Sequence, residues 1–587
     1  MLAHVALPVA VLLWIVTLLR NVQLDRMGAF GLISVLPITY WVGLGMLTLG
    51  FAFALRTPGI SGVWFLGYVV ALIAMLHATP TVLYGTLRYS WAWKHVAVVD
   101  YLVSHGATDP TNGVLGAYHQ WPGFFALNAL FVRMAGLRSA GSYAAWGPPV
   151  NNLLMIGPLV LIYRSLTRDR RLVWAAVWIF FSSAWMGQDY FSPQAFALVL
   201  YLAVIGVVLK RLNRQAADSA DSQGSQGSSA AARRRRAAVI WTALLLPVIA
   251  AVASSHQLTP LMLVCALGIL AVSWRRWRTV LPLLIASVLF TVGWAATVAR
   301  PFIEANLSSI LTSFGTLDAN AASPLSNQAI ASPEQQLIAH VETASAAFIW
   351  LLALVAVVKW RGLRHNPIVL LALAPLPLLV ANDYGGEMVF RVHLFALPAT
   401  AFLATAVLWR SRRWPRIQAL ALPAVLLALL SGFVLGYYGK ERMNYFSPAE
   451  VSAAQFLFRT APHGSMIVAA TSEYAGVYTD YSDYTYVSWL TDQTPAQLDE
   501  IAAYPLSALV SELRDSHGRP AYFILTRSQE AEIELSGLLP PAALTQVEQI
   551  PGNAPELTVL YRNQDAVIME LTNQPRSVLL HWKGALR

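Results

Sequence analysis

Runs of apolar residues long enough to cross a membrane recur along the whole chain, and they constrain its fold more than any other feature. A spanning helix needs roughly 20 apolar residues, and about thirteen runs approach or reach that length. They are residues 2–19, 30–55, 62–84, 146–163, 172–187, 194–209, 237–254, 258–274, 279–299, 344–359, 367–382, 392–409 and 416–438. The sequence therefore predicts an α-helical polytopic membrane protein.

The composition agrees with this prediction. Of the 587 residues, 57% are hydrophobic and only 12% are charged, whereas a soluble domain carries about 25% charged residues. The core of a soluble protein of this size cannot bury that much apolar surface. These proportions exclude a disordered chain, a collagen-like chain and a secreted disulfide scaffold. The single cysteine, Cys265, allows neither an intrachain disulfide nor a cysteine-based metal site.

Basic residues cluster in every second connection between the apolar runs. The clusters lie at 164–171, 210–236, 275–278, 359–364 and 410–416. Loops that alternate in this way share one side of the membrane, and basic loops favour the cytoplasm. We therefore assign the net charge of +10 to the positive-inside rule and expect no nucleic-acid partner. The N-terminus is predicted to be cytoplasmic, although Arg20 and Arg26 in the first hairpin would then lie outside.

This orientation divides the chain into two predicted domains. Residues 1–438 form a transmembrane domain with outer loops at 85–145 and 300–343 and a flexible cytoplasmic linker at 213–236, where the sequence is polar and of low complexity. Residues 439–587 form a small extracytoplasmic α/β domain, because charged helical stretches alternate there with strand-like runs. Those runs are 465–471, 521–526, 557–562 and 566–571.

Four polar clusters lie at the predicted outer ends of the spans, within residues 88–124, 187–194, 254–260 and 382–393. An ionisable residue within lipid costs about 2.5–3.5 kcal/mol, so such residues mark a cavity more often than chance would allow. The candidate substrate-binding residues in these clusters are Lys94, His119, Trp121, Asp189, Tyr190, Gln194, His256, Gln257, Asp383 and Arg391. Aromatic faces and carboxylates suit sugars, and cations at a membrane surface suit a lipid phosphate. We expect the four clusters to converge on one cavity.

Asp100 and Glu387 are the candidate catalytic carboxylates. Asp100 lies in a stretch that is predicted to form an interfacial helix, where it is either a surface carboxylate or a base that faces the cavity. Glu387 precedes Arg391 by one helical turn, so the two either neutralise each other or serve the site. Structural roles stay open for Asp189, within a Ser-Pro turn, and for His256, within a short connection. No nucleotide-binding, hydrolase or metalloprotease motif accompanies these residues.

The chain resembles the GT-C integral-membrane glycosyltransferases, which use polyprenyl-phosphate sugars as donors. The run from Lys94 to Gly106, followed by Tyr118 to Phe124, is similar to the first outer loop of that family, and Val559 to Ile568 is similar to its closing hairpin. One position departs from the family pattern. An acidic residue usually stands four positions before the histidine of the loop, at the start of the interfacial helix, and Trp91 stands there in this chain.

The resemblance implies transfer of a monosaccharide from a polyprenyl-phosphate carrier to a cell-envelope glycan or lipid-linked acceptor, on the outer face of a bacterial plasma membrane. The expected partners are the lipid-linked donor, a glycan or glycolipid acceptor and membrane lipids. No cofactor is predicted, and a divalent cation stays open. A carboxylate would deprotonate the acceptor hydroxyl, and cations would hold the departing phosphate. We favour Asp100 as the base, with Glu387 orienting Arg391, because a carboxylate locked to arginine is a poorer base.

Three alternatives stay open. The protein is an inactive relative if no other acid replaces the missing one. A polymerase or ligase of lipid-linked polysaccharide shares the many spans, but its arginines are expected in a large outer loop, and residues 300–343 contain only Arg300. A non-catalytic flippase or transporter needs polar residues along a path to both faces of the membrane.

Overall fold

The computed structural model describes residues 2–221, 228–273, 277–313, 330–364, 366–380, 387–410, 415–476, 480–491 and 493–572. Within these residues the chain is mostly helical. The helices of the first half are Leu2–Leu18, Ile38–Arg56, Gly62–Ile73, Thr79–Tyr84, Ser90–His105, Gly116–Gln120, Gly123–Met134, Gly141–Ala144, Gly147–Leu166, Arg170–Phe181, Pro193–Asp221, Ser228–Ser255, Thr259–Ser273, Trp277–Ala296 and Arg300–Ser313. Those of the second half are Pro333–Lys359, Pro367–Leu373, Met388–Arg410, Pro415–Tyr438, Glu441–Asn444, Pro448–Thr460, Pro495–Ala503, Pro505–Arg514, Arg527–Ser536 and Pro541–Asn553.

Seven helical segments in the described ranges are long and apolar enough to cross a membrane. They are Ile38–Arg56, Gly62–Tyr84, Pro193–Asn213, Thr279–Ala296, Pro333–Lys359, Met388–Trp409 and Leu420–Tyr438. Shorter apolar helices accompany them at Ala3–Leu18, Gly123–Met134, Val239–Ser255, Thr259–Val272 and Pro367–Val380. The chain is therefore a multi-pass membrane protein with a mostly helical fold.

Prolines and polar residues account for several differences from the predicted spans. The run 30–55 becomes helical only at Ile38, directly after Pro37, whose ring fixes an extended start. In the run 367–382 the regular helix ends at Leu373, and Pro375 precedes a short 3₁₀ turn. The described parts of the predicted linker 213–236 continue the two flanking helices. Alanine is frequent there and favours helix over coil.

The last third of the described chain contains a five-stranded mixed sheet. Its strands are β1 (Met466–Ala469), β2 (Thr485–Ser488), β3 (Ala521–Thr526), β4 (Leu557–Arg562) and β5 (Ala566–Leu571), in the order β2-β1-β3-β5-β4. The first three strands are parallel, whereas β5 runs antiparallel to β3 and β4. Four of the strands lie in the predicted strand-like runs. The prediction missed β2, where tyrosine, serine and threonine replace the expected aliphatic residues.

The carboxyl ends of β1 and β3 lie at the same edge of this sheet. The chain leaves β1 toward Glu473, and it leaves β3 directly into the helix Arg527–Ser536. Side chains from the segment 85–145 share a hydrophobic core with the sheet, as Val98 and Phe125 do with Ile568. The sheet edge is thereby fixed against the helix Ser90–His105.

Candidate active site

A cavity of about 540 Å³ opens between the membrane-spanning helices and the carboxyl edge of the sheet. Described residues from all four polar clusters line it. Seven of the sequence-predicted residues do so: Trp121, Tyr190, Gln194, His256, Gln257, Glu387 and Arg391. Asp383 lies outside the described residues. Because the four clusters are far apart in the chain, the tertiary fold alone brings them together.

Asp100 is not among the residues that line this cavity. Its carboxylate accepts hydrogen bonds from the Ser139 hydroxyl at 2.6 Å and from the backbone N–H of Ala140 at 3.2 Å. Burial raises the pKa of the Asp100 carboxyl, while the two hydrogen bonds act to lower it. These bonds attach the helix Ser90–His105 to the turn that precedes the helix Gly141–Ala144.

His119 and Asp189 also lie away from the cavity lining, with their polar atoms engaged by neighbours. The Nε2 atom of His119 is 2.5 Å from the hydroxyl oxygen of Tyr481. The Asp189 carboxylate is 2.7 Å from Nδ1 of His77 and accepts a hydrogen bond from the Asn152 amide at 2.7 Å. Both side chains therefore connect distant segments of the fold.

Lys94 is buried behind the cavity rather than in its lining. Its ammonium nitrogen lies 4.2 Å from the centroid of the Trp91 ring. Burial lowers the pKa of this ammonium, while the nearby carboxylates of Glu473 and Glu532 act to raise it. Lys94 thus contributes a positive charge to a small acidic cluster at the sheet edge.

Glu473 lines the cavity and was not singled out from the sequence. Its Oε1 atom accepts a hydrogen bond from the Ser90 hydroxyl at 2.9 Å. Its Oε2 atom is buried and has no hydrogen-bond partner among the described protein atoms. Burial raises the pKa of this carboxyl, against the lowering effects of Lys94 and of Ser90. Ser90 begins the helix Ser90–His105, so Glu473 brings a carboxylate to the start of that helix.

Two cations among the described residues line the cavity, and each is paired with a carboxylate. Lys440 donates to Glu342 Oε1 at 2.7 Å, with the lysine side chain 37% exposed and the glutamate 3% exposed. Arg391 is paired with Glu387, which lies one turn earlier along the chain. Arg391 is buried, whereas the Glu387 side chain is 47% exposed. The sequence left open whether Glu387 and Arg391 pair, whereas Glu342 falls in the predicted outer loop 300–343 and was not singled out.

Tyr89 lies at the rim of the cavity in a strained backbone conformation. Its φ of 67° falls in the left-handed region, which is rare for a bulky residue and costs about 1–3 kcal/mol. Its N–H donates to the carbonyl of Asn444 at 3.1 Å. Gly187 faces the Tyr89 hydroxyl so closely that an added Cβ would lie 2.7 Å from it. Strain of this kind concentrates at functional sites.

A buried ion pair is formed by Arg88, which directly precedes this strained position in the sequence. Arg88 Nη2 lies 2.6 Å from Glu441 Oε1, and the Tyr84 hydroxyl donates to Glu441 Oε2 at 2.6 Å. Arg88 also donates to the backbone carbonyl of Tyr437 at 2.7 Å. The pair joins the segment before Tyr89 to the segment after the helix Pro415–Tyr438.

One signal in the sequence could have identified Glu473. It follows the predicted strand 465–471, and ligands tend to bind beyond the carboxyl ends of parallel strands. The signal depends on β1 being parallel to its neighbours, which the sequence did not reveal. Among the described residues, the side chains that could bind a metal form no group of three or more.

Comparison with solved structures finds matches that cover most of this chain. The oligosaccharyltransferase of Archaeoglobus fulgidus, tethered to an acceptor peptide with the NVT sequon, matches at a TM-score of 0.49 and 12% identity over 83% of this chain and 72% of that chain. ArnT of Cupriavidus metallidurans bound to undecaprenyl phosphate matches at 0.44 and 12% identity over 86% of this chain and 97% of that chain. Its apo state matches at 0.43 with the same identity and coverage.

These neighbours are GT-C glycosyltransferases, the class that the sequence resembles. No protein-family model matches the chain, and no curated protein matches its sequence. All three TM-scores lie below 0.5.

Proposed function

We propose that the protein transfers a monosaccharide from a polyprenyl-phosphate carrier to a cell-envelope glycan or lipid-linked acceptor. The observation that carries this proposal is the composition of the cavity. It combines a carboxylate outside any ion pair of the described residues, two cations and several aromatic side chains, at the ends of apolar helices. A carboxylate can act as the base, cations can stabilise a departing phosphate, and aromatic faces suit a sugar ring.

Glu473 is the proposed base. A base must be free to accept a proton. The two other carboxylates that the described lining of the cavity contains, Glu342 and Glu387, are each held by a cation. The buried and unpartnered Oε2 atom of Glu473 is available to an acceptor hydroxyl. Glu473 also reaches the start of the helix that follows Tyr89, where the family acid is replaced by Trp91. This supports Glu473 over the sequence-based candidates Asp100 and Glu387.

The proposed reaction is a direct displacement. The acceptor oxygen attacks the anomeric carbon and forms the new glycosidic bond, and the hydroxyl proton passes to Glu473. The bond between the anomeric carbon and the phosphate oxygen breaks, and its electron pair leaves with the lipid phosphate. Lys440 and Arg391 stabilise the charge that develops on this oxygen. Before the donor binds, Glu387 orients Arg391. Because the Glu387 side chain is exposed, it can move aside when the phosphate binds to Arg391.

The proposed site lies on the extracytoplasmic face of a bacterial plasma membrane, with the N-terminus in the cytoplasm. Glu342 lines the cavity, and the basic connection begins at Lys359 on the same helix, about 25 Å further along. That separation is close to the thickness of the hydrocarbon core. Four of the shorter apolar helices, Ala3–Leu18, Val239–Ser255, Thr259–Val272 and Pro367–Val380, would complete a bundle of about thirteen spans together with the helices Gly147–Leu166 and Arg170–Phe181. Residues 439–587 would form a domain outside the membrane.

Transfer from undecaprenyl-phosphate-linked radiolabelled sugars in membranes tests this proposal. Glu473→Gln should lower turnover by about 10²-fold or more, whereas Glu500→Gln, on the exposed surface of the same region, should leave it unchanged. Arg391→Ala should weaken donor binding as well. Full activity of Glu473→Gln, with Asp100→Asn inactive, would return the role of base to Asp100. If no such donor binds or reacts, the proposed function is wrong.

A further inference from the structure

One wall of the cavity is built from buried polar side chains without ionic partners among the described residues. It consists of His95, Gln194, Ser255 and His256, and we call it the neutral wall. All four residues line the cavity, and all are at most 7% exposed. They come from the helix Ser90–His105, from the start of the helix Pro193–Asp221 and from the turn after Ser255. The described cations and carboxylates that line the cavity lie on other elements, and Lys94, on the same helix as His95, is not part of the lining.

Several polar atoms of the neutral wall have no hydrogen-bond partner among the described protein atoms. Both amide atoms of Gln194, the hydroxyl oxygen of Ser255 and Nε2 of His95 are buried and unpartnered. Burying such groups without partners destabilises the folded protein. Native proteins rarely leave several together, so their convergence on one cavity indicates a polar ligand.

The two histidines differ in their free ring nitrogen: His95 offers a hydrogen-bond acceptor and His256 a donor. His95 Nδ1 is 2.9 Å from the backbone carbonyl of Phe191, so Nδ1 carries the proton and Nε2 is an acceptor. His256 Nδ1 accepts from the backbone N–H of Thr259 at 3.1 Å, so its Nε2 carries the proton and is a donor. Burial lowers the pKa of His95 to about 3 and that of His256 well below its usual range. Both rings are therefore neutral at pH 7.

We propose that the neutral wall binds the hydroxyl groups of the transferred sugar and selects a sugar that carries neither a carboxylate nor an amine. A hydroxyl group both donates and accepts, and the wall offers an acceptor, a donor, an amide and a hydroxyl. Of the nearby charged groups, Arg391 acts on His256 and is paired with Glu387, whereas Lys94 acts on His95 from outside the cavity lining. The wall itself offers no counter-charge, so a charged sugar bound against it would lose its hydration without compensation. This inference rests on the proposed function and adds the class of sugar to it.

Binding of four probes to the purified protein in lipid nanodiscs tests the inference. The probes are undecaprenyl phosphate alone and undecaprenyl phosphate linked to glucose, to glucuronate or to glucosamine. We expect the glucose conjugate to bind at least about ten-fold more tightly than either charged conjugate, the difference that one or two hydrogen bonds supply. Equal or tighter binding of a charged conjugate would overturn the inference.

Variants of the neutral wall identify its contribution. Ser255→Ala and Gln194→Leu should each reduce the preference for glucose, and both should bind undecaprenyl phosphate alone as the unmodified protein does. Ser254→Ala is the matched control, because its hydroxyl is already bonded to the carbonyl of Ala251 and does not line the cavity. Gln194→Glu should shift the preference toward the glucosamine conjugate. An unchanged preference in all three wall variants would refute the role of the wall.

The probe without a sugar separates this inference from the proposed function. Suppose that undecaprenyl phosphate alone binds, that Lys440→Ala weakens this binding, and that no sugar preference is seen. The proposed role of the neutral wall is then refuted, whereas the lipid-phosphate site is supported. If undecaprenyl phosphate does not bind at all, the proposed function fails, and the inference fails with it.

Discussion

Removing the charge of Glu441 should destabilise the folded protein by about 3–5 kcal/mol, because the Arg88 guanidinium would remain buried without a counter-charge. The two side chains are 7% and 0% exposed, and their charged atoms lie 2.6 Å apart. Glu441→Gln keeps an amide oxygen that can accept from the Tyr84 hydroxyl. The expected decrease in the free energy of unfolding therefore comes mainly from removing the negative charge.

Arg88→Met should cost more than Glu441→Gln. It leaves the Glu441 carboxylate uncompensated, and it also removes the donor to the backbone carbonyl of Tyr437. Adding about 1–3 kcal/mol for that carbonyl to the 3–5 kcal/mol for the charge gives roughly 4–8 kcal/mol. The double variant buries no charge, so it should be more stable than Arg88→Met alone.

Equilibrium unfolding in mixed micelles containing SDS, followed by tryptophan fluorescence, measures these differences. The ion pair between Arg442 and Glu534 is the matched control. Its charged atoms lie at a similar distance, 2.7 Å, but its side chains are 28% and 49% exposed. Glu534→Gln should cost at most about 1 kcal/mol. If Glu441→Gln lowers the free energy of unfolding no more than Glu534→Gln does, the pair between Arg88 and Glu441 is hydrated, and the reasoning is wrong. A double variant at Arg88 and Glu441 that loses the sum of the single losses would also refute it.

Three further predictions concern the rim, the acidic cluster and the topology. Gly187→Ala should lower the melting temperature and donor affinity, because its φ of 63° and the nearby Tyr89 hydroxyl leave no room for a methyl group; unchanged affinity would contradict this. Burial raises the pKa of Glu532, so its folded form binds a proton more readily than its unfolded form, and stability falls as pH rises above the usual glutamate value of about 4.5. Glu532→Gln should therefore gain melting temperature relative to the unmodified protein at pH 8 but not at pH 4, and a constant difference would oppose the prediction. In a cysteine-free background, an impermeant thiol reagent added outside should modify Ser507→Cys and miss Arg168→Cys, and the reverse result would invert the topology.

The helical elements could be predicted because apolar length is a local property. The helix Pro193–Asp221 and the helix Met388–Arg410 each contain a predicted run. Helix ends were less predictable, since they depend on single residues such as Pro37 and Ser332. Ser332 accepts from the backbone N–H of Gln335 and begins a helix well before the apolar part of that span. Polar residues at the outer end of a span therefore hid part of the helix, including Glu342.

The sequence predicted which segments line the cavity, but it predicted less well which side chain has which role. All four polar clusters contribute to the cavity lining, because polar groups beside apolar spans need a shared aqueous or ligand-filled space. The role of each side chain depends on partners that are distant in sequence. Ser139 engages Asp100 across 39 residues, and Tyr481 engages His119 across 362 residues. No local pattern reveals such contacts.

The resemblance leads one to expect an acid at the position of Trp91, and the proposed base Glu473 lies near that position. Trp91 in the place of an acid is compatible with an inactive protein as long as the helix Ser90–His105 is considered alone. The sheet edge changes that conclusion, because it brings a carboxylate to Ser90 that is outside the ion pairs of the cavity. The base would then be supplied by the chain beyond residue 438, and the sheet would be part of the catalytic machinery. Folding of the sheet against the segment 85–145 would be required for chemistry, and the side chains shared by that core, such as Val98 and Ile568, would position the base without touching the substrate.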